Sequence, residues 1–210
     1  MAETNPNSRL EAFCDGVFAI ALTLLIIDIR IPSTDKINNT SDLWLALKHI
    51  TPSLLAFVLS FIIILITWVN HHNSLRLVNK SSASFIYANG FMLLTVVFIP
   101  FPTSLMGEYV FTDHAAPPVI LYNSTLAIQA LSWILLTSSA LKEHLGKDEK
   151  STLQIRNNGK FAYFAFALYS LCAIIAIWLP LTIAIITTIS WIFWLLYGIS
   201  IKHEEMNQTN

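Results

Sequence analysis

The sequence predicts an all-α integral membrane protein, a six-helix bundle in one domain over 1–210, and three observations carry that prediction. Of 210 residues, 55% are hydrophobic and only 12% are charged, whereas soluble domains carry about a quarter charged residues. The apolar residues fall in blocks of about 20, the length that crosses a hydrocarbon core of ~30 Å at 1.5 Å per residue. Prolines stand at the breaks between those blocks, where a helical hydrogen-bond ladder cannot continue.

Span 1 covers about 9–31 and is closed by Pro32. No signal peptide is visible: the run carries Asp15 and Asp28 and lacks a basic start with a small-residue cleavage site, so it is expected to stay in the mature protein. Span 2, about 48–70, has Pro52 in its opening turn, where a missing N–H costs little. Span 3, about 82–104, ends in Pro100-Phe101-Pro102, which should bend or stop it, and Pro117-Pro118 opens span 4 at about 118–141. Pro180 divides span 5, about 161–179, from span 6, about 181–201. An unbroken run would be about twice the bilayer thickness, so these two are expected to form a tight antiparallel hairpin.

Lys and Arg set the orientation. With the N-terminus inside, Arg9, Arg76, Lys80, Lys142, Lys147, Lys150, Arg156, Lys160 and Lys202 fall on the cytoplasmic side and only Arg30, Lys36 and Lys48 on the other. Both termini are then cytoplasmic. Residues 142–160 read as the longest cytoplasmic loop, a solvated linker of mixed charge. Cys14 and Cys172 lie inside apolar segments and read as small buried side chains rather than a disulfide framework.

Enzyme chemistry finds no support. His71 and His72 are adjacent rather than i, i+4, so they do not present two metal ligands on one helix face. The chain has no glycine-rich phosphate loop, no paired cysteine motif and no serine in a GxSxG setting. No cofactor, metal or nucleic-acid partner is expected; membrane lipids are.

The residue that does not suit a plain lipid anchor is Asp15, roughly two turns into span 1. An Asp near a helix centre costs about 2.5–3.5 kcal/mol to insert, less toward the ends. It therefore asks for a partner. Arg9, Trp68, His71, His72 and Asn89 all fall at the same membrane side. A polar clamp that fixes helix arrangement ranks above a proton relay. At 100° per residue, Ile20, Thr23, Leu24, Ile27 and Ile31 share one stripe within about 60° of Ile20. Asp15, Ala19, Leu22 and Ile26 share another, roughly opposite, expected to pack within the subunit. The first stripe could line a path, meet lipid or pack; the residues alone leave that open. Ala12, Gly16, Ala19 and Ala21 are small enough for close helix approach.

The segment Arg9-Leu-Glu-Ala-Phe13-Cys14-Asp15-Gly-Val-Phe-Ala19 resembles the RxxxFSDxxxA signature of the transmembrane protein 175 family of potassium channels. Arg9, Phe13, Asp15 and Ala19 match, and Cys14 replaces the usual serine with a weaker hydrogen-bonding group of similar size. The six-span layout, TWVNHH at the end of span 2 and PFPTSLMGEY leaving span 3 agree. The resemblance implies a homotetramer whose first helices line a central pore without a re-entrant filter loop, and no TVGYG-like filter is present. It implies Ile20, Leu24 and Ile27 as a hydrophobic constriction and Thr23 as the threonine associated with potassium preference. It also implies an inter-helix network of Arg9, Phe13 and Asp15 with His71 or His72 and Asn89. A modestly selective, potassium-permeable channel of the plasma membrane is then expected. The alternatives are a proton-coupled transporter or proton leak using Asp15 and His71/His72, and a membrane scaffold with no transport of its own.

Overall fold

In the computed structural model the described residues are 7–29, 33, 35 and 37–207, with side chains described as far as residue 196 apart from that of Asp28. Pro32, Ile31 and the charges Arg30 and Lys36 lie outside the described residues, as does the side chain of Lys202. Among the described residues the regular elements are helical, with one isolated β-bridge between Val78 and Gly146.

Helix α1 runs Ser8–Leu24 and tightens into a 3₁₀ turn over Leu25–Asp28, after which Ile29 is extended. The sequence predicts a helix as far as 31, and the α-helix stops short of that. Ile26, Ile27 and Ile29 are β-branched and crowd a helical turn, while Leu25 is buried against the neighbouring helix, so packing favours a tighter last turn.

Helix α2, Thr40–His49, has no counterpart in the predicted spans. Its signal is an Asx cap: Asn39 accepts from the Asp42 N–H at 2.9 Å, and Asp42 accepts from the Asn38 N–H at 3.0 Å. None of its residues is buried. Helix α3, Thr51–Arg76, follows directly, with Pro52 in its first turn.

Helix α4, Ala83–Phe98, is capped by Ser82, which accepts from the Phe85 N–H at 3.2 Å. At Pro100 the chain bends rather than stops, and α5 continues over Pro100–Tyr109, so Ala83–Tyr109 is one membrane-length unit. Gly107 lets α5 approach α3 closely, since a Cβ there would lie 3.1 Å from the Pro52 carbonyl oxygen.

Helix α6 covers Ala116–Lys142 and α7 covers Glu149–Ile175. The predicted solvated loop over 142–160 is thereby corrected to the short connection 143–148. Two local devices shorten it. Asp148 caps α7 by accepting from the Ser151 N–H at 2.7 Å. At the end of α6, His144 takes a left-handed φ of 53°, with Leu145 N–H bonded to Ala140 C=O and His144 N–H to Leu141 C=O, a Schellman closure normally given to glycine. Ile155 and Gly159, inside the predicted loop, are buried on α7. Helix α8, Pro180–Asn207, follows a short turn after α7 and packs on α6 and α3 as well as on α7.

Among the described residues five helical units are long and apolar enough to cross a membrane, and the apolar Pro180–Leu196 stretch of α8 is shorter. The main core lies among α3, α5, α6, α7 and α8, around Ile63, Val119, Tyr122 and Trp191. It also holds buried hydrogen bonds: Trp191 Nε1 donates to Tyr122 Oη at 3.0 Å, and Thr187 donates to Asn123 Oδ1 at 2.9 Å. A second cluster, including Leu75, Val78, Phe85, Leu136 and Leu145, closes one end. There Asn79 N–H donates to Leu145 C=O at 2.9 Å, Lys147 N–H to Leu77 C=O at 3.0 Å, and Asn7 Nδ2 to Val78 C=O at 2.9 Å. The start of α1 is thus tied to the α3–α4 connection, which is itself bonded to the α6–α7 connection, at the end that carries Arg76, Lys80, Lys142, Lys147 and Lys150.

Candidate functional site

Helix α1 packs on α3 and α4 through a third cluster, in which Cys14, Phe18 and Leu25 meet Ile64, Met92, Leu93 and Val96. Cys14, Phe18 and Ala21 are the buried residues of the helix. The inward face therefore differs from the expected Asp15, Ala19, Leu22 and Ile26 stripe. Asp15 and Leu22 are half-buried at its edge, while Ala19 and Ile26 are exposed. The reason is volume: Phe18 fills the space between α3 and α4, and the helix rotates to seat it. The small residues Ala12, Gly16 and Ala19 lie on the outward side, and a Cβ at Gly16 would meet nothing within 4 Å.

The outward face carries the other stripe. Ile20 is 58% exposed, Leu24 52% and Ile27 70%. Thr23 lies among them, its hydroxyl donating to its own helix at Ala19 C=O (2.9 Å) and Ile20 C=O (3.1 Å). That bond uses the proton and leaves oxygen lone pairs on the outer surface. In the single chain this is an exposed aliphatic strip with one hydroxyl in it.

Behind the strip, polar residues tie α1's neighbourhood together in two pairs. Trp68 Nε1 donates to Asp15 Oδ1 at 2.8 Å, a charge-assisted bond from α3 to α1. His71, buried on α3, lies 2.7 Å through Nε2 from Asn89 Oδ1 on α4. Asn89 Nδ2 donates to Phe85 C=O at 2.8 Å, which turns Oδ1 toward the imidazole, so His71 Nε2 carries the donated proton. The Phe18 ring stands 5.6 Å from His71 and links the two pairs. His72 is half-buried against Trp68 with ring centroids 5.8 Å apart. Arg9 and Phe13 are exposed, and among the described residues no hydrogen bond or ion pair joins Arg9 to Asp15.

The structure thus brings Asp15, His71 and Asn89 to one depth and leaves Arg9 and Phe13 on the outer side. Trp68 stands among the partners the sequence offers for Asp15, and its indole N–H is the donor that reaches the carboxylate. The sequence reading passed over Gln129, which donates to Thr67 at 3.3 Å. Chemically, the arrangement can hold a helix at a fixed rotation while that helix presents apolar side chains outward.

Comparison with known proteins agrees with this geometry. The sequence model of the family described as endosomal/lysosomal potassium channel TMEM175 matches residues 9–100. A potassium channel of Chamaesiphon minutus is 45% identical over 120 residues, 57% of this chain and 59% of that protein, so the match spans less than two thirds of that relative's length. A potassium channel of Streptomyces collinus is 41% identical over 143 residues, 65% of this chain and 68% of that one. The crystal structure of a lysosomal potassium-selective channel TMEM175 homolog from Chamaesiphon minutus superposes with a TM-score of 0.76 at 32% identity, covering 91% of this chain and 97% of that one. With the signature on α1, the helical layout and these matches in agreement, the chain belongs to the TMEM175 family, a family of ion channels rather than enzymes.

Proposed function

We propose that the chain forms a potassium-permeable, modestly selective cation channel, with four copies arranged so that their α1 helices surround a central pore. The observation that carries this reading is the exposed aliphatic strip of Ile20, Leu24 and Ile27 on a helix whose opposite face is buried. Relatives named as potassium channels support the ion.

In this reading, rings of Ile20, Leu24 and Ile27 constrict the pore. Ions do not shed water onto methyl groups, so a narrow ring of them dewets and holds the path closed. Thr23 supplies the hydroxyl oxygens among those rings and favours potassium. Because few strong dipoles replace the hydration shell, selectivity over sodium is modest. Asp15 serves as a brace through Trp68 rather than as an ion site, and His71 with Asn89 fixes the helices behind it. Arg9 and Phe13, on the outer side of the start of α1, take part in contacts between copies. The Lys and Arg pattern supports both termini lying on the cytoplasmic side, and the single six-span unit supports a plasma-membrane location.

The test is flux. Protein reconstituted in planar bilayers is expected to pass potassium current, and Ile20→Asn, which wets the constriction, is expected to raise open probability. Correctly assembled tetramers that pass no current in either form contradict the proposal.

A further inference from the structure

Helix α7 has two faces of different chemistry. Ile155, Gly159, Ala162, Ala165, Tyr169 and Cys172 are buried, where the helix packs chiefly on α6 and α8. At 100° per residue, Arg156, Lys160, Phe164, Ala167, Leu171 and Ile174 fall within about 40° of Lys160, on the opposite side. All six are exposed, Phe164 at 59% and Leu171 and Ile174 at 55% each. The strip is graded along its length, with two cations toward the α6–α7 connection, then an aromatic ring, then aliphatics. At 1.5 Å per residue, Lys160 lies about 21 Å and Arg156 about 27 Å from Ile174 along the axis. Trp178, 70% exposed, stands about one turn beyond Ile174, and indoles of that kind settle at a membrane interface. A hydrocarbon core of ~30 Å measured from Trp178 therefore ends between Lys160 and Arg156. Among the described residues the side chain of neither cation has an ion pair or a hydrogen bond. Glu149, the acid on the same strip, lies about 10 Å further out than Arg156.

We propose that this strip binds one anionic glycerophospholipid, its phosphate held by Arg156 and Lys160 and an acyl chain laid over Phe164, Ala167 and Leu171. Residues four apart on a helix have Cβ atoms about 5–6 Å apart, so both cations reach a single phosphate. Arg156 offers its planar fork to two phosphate oxygens. Lys160, at the edge of the core, lifts its ammonium to the same level while its stem stays on apolar surface. A cation at that depth loses hydration without a protein partner to replace it, and the phosphate supplies the missing counter-charge. Tyr163, 59% exposed on the flank of the strip, places its ring and hydroxyl at the boundary between headgroup and chain. Charge selects the headgroup: a zwitterionic lipid would bring its own ammonium beside two cations, whereas phosphatidylglycerol brings none. The aliphatic end selects the source, because a soluble phosphate monoester buries no apolar surface there. The strip belongs to α7 and the constriction residues to α1, so lipid binding does not depend on the channel reading.

Native mass spectrometry of the full chain in detergent, titrated with palmitoyl-oleoyl phosphatidylglycerol, tests this. Saturable binding of one such lipid per chain is expected. A basic residue at an anionic headgroup is worth about fivefold in affinity, so the two together should favour it about 25-fold over phosphatidylcholine with the same acyl chains. Arg156→Gln and Lys160→Gln should each remove about fivefold, and the double variant should bind both lipids alike. Lys147→Gln, in the α6–α7 connection and off the strip, should keep the full preference. Both substituted side chains are exposed, and should the double variant still aggregate, the Lys160→Gln titration decides. Phosphatidylcholine binding as tightly, or a preference that survives in the variants, overturns the site. An equal loss in Lys147→Gln overturns it in favour of diffuse surface charge. Glycerol 3-phosphate displacing the lipid at equal concentration overturns the membrane source, and unsaturable uptake or no lipid adduct overturns the proposal as a whole.

Discussion

Removing the indole donor from Asp15 tests the brace most sharply. Trp68→Phe keeps an aromatic ring on α3 but deletes the Nε1–H that lies 2.8 Å from Asp15 Oδ1. A hydrogen bond to a charged group contributes about 1.5–3 kcal/mol, and the half-buried carboxylate would be left with reduced compensation. For a chain of this size that corresponds to a loss of about 3–12 °C in unfolding temperature. Loss of ring volume also contributes, so the single variant is not sufficient. The assay is a double-mutant cycle with Asp15→Leu, which removes the acceptor, followed by thermal unfolding of detergent-solubilised protein. Residues joined by this bond should show a coupling of about 1–3 kcal/mol. Additivity within about 0.5 kcal/mol would refute the claim that Trp68 holds Asp15.

Three further outcomes are expected. His144→Gly relieves a non-glycine residue held at φ 53° and should stabilise the chain by about 0.5–1 kcal/mol, read as a higher unfolding temperature. Hydrogen bonds from Ser151 hold the Asp148 carboxyl below the usual carboxylate range. Its capping contribution is therefore full above that range and lost as pH falls from there through the lowered folded-state value, so amides in the first turn of α7 should lose protection from exchange, relative to their intrinsic rates, in acid, and Asp148→Ala should remove that pH dependence. Asn89→Leu should strand the buried His71 donor and destabilise by about 1–3 kcal/mol, whereas His71→Leu/Asn89→Leu together should cost less than the sum of the two single changes.

Much of the architecture could be read from residue order because lipid permits few solutions. A 20-residue apolar block has to become a helix, and prolines such as Pro52 and Pro180 mark where helices begin. What escaped the sequence were features set by side-chain detail. Helix α2 depends on a single Asn39 cap in a polar stretch. The start of α7 depends on Asp148, which converts a charged segment into helix although hydropathy reads it as loop. Charged residues there are legible as solvated, yet solvation does not exclude helix when one face, here Ile155 and Gly159, is buried.

The candidate site divides the same way. The aliphatic stripe of Ile20, Leu24 and Ile27 followed from helical spacing alone, since a 100° step determines which side chains share a face. Which face turned inward did not follow. Phe18 and Cys14 settle against Ile64 and Met92 because that is where the bundle has room, a property of three helices together. Asp15 announced itself as an acid in an apolar run, but an indole donor on α3, distant in sequence, has no periodic signature.

The most direct test of the central claim is a reversal potential measured on liposome-reconstituted protein under opposed potassium and sodium gradients at equal pH. A pore lined by Ile20, Thr23, Leu24 and Ile27 predicts a reversal displaced toward the potassium equilibrium potential without reaching it, and a changed displacement in Thr23→Ala. A current that follows only an imposed proton gradient, or no current from intact tetramers, would contradict the account.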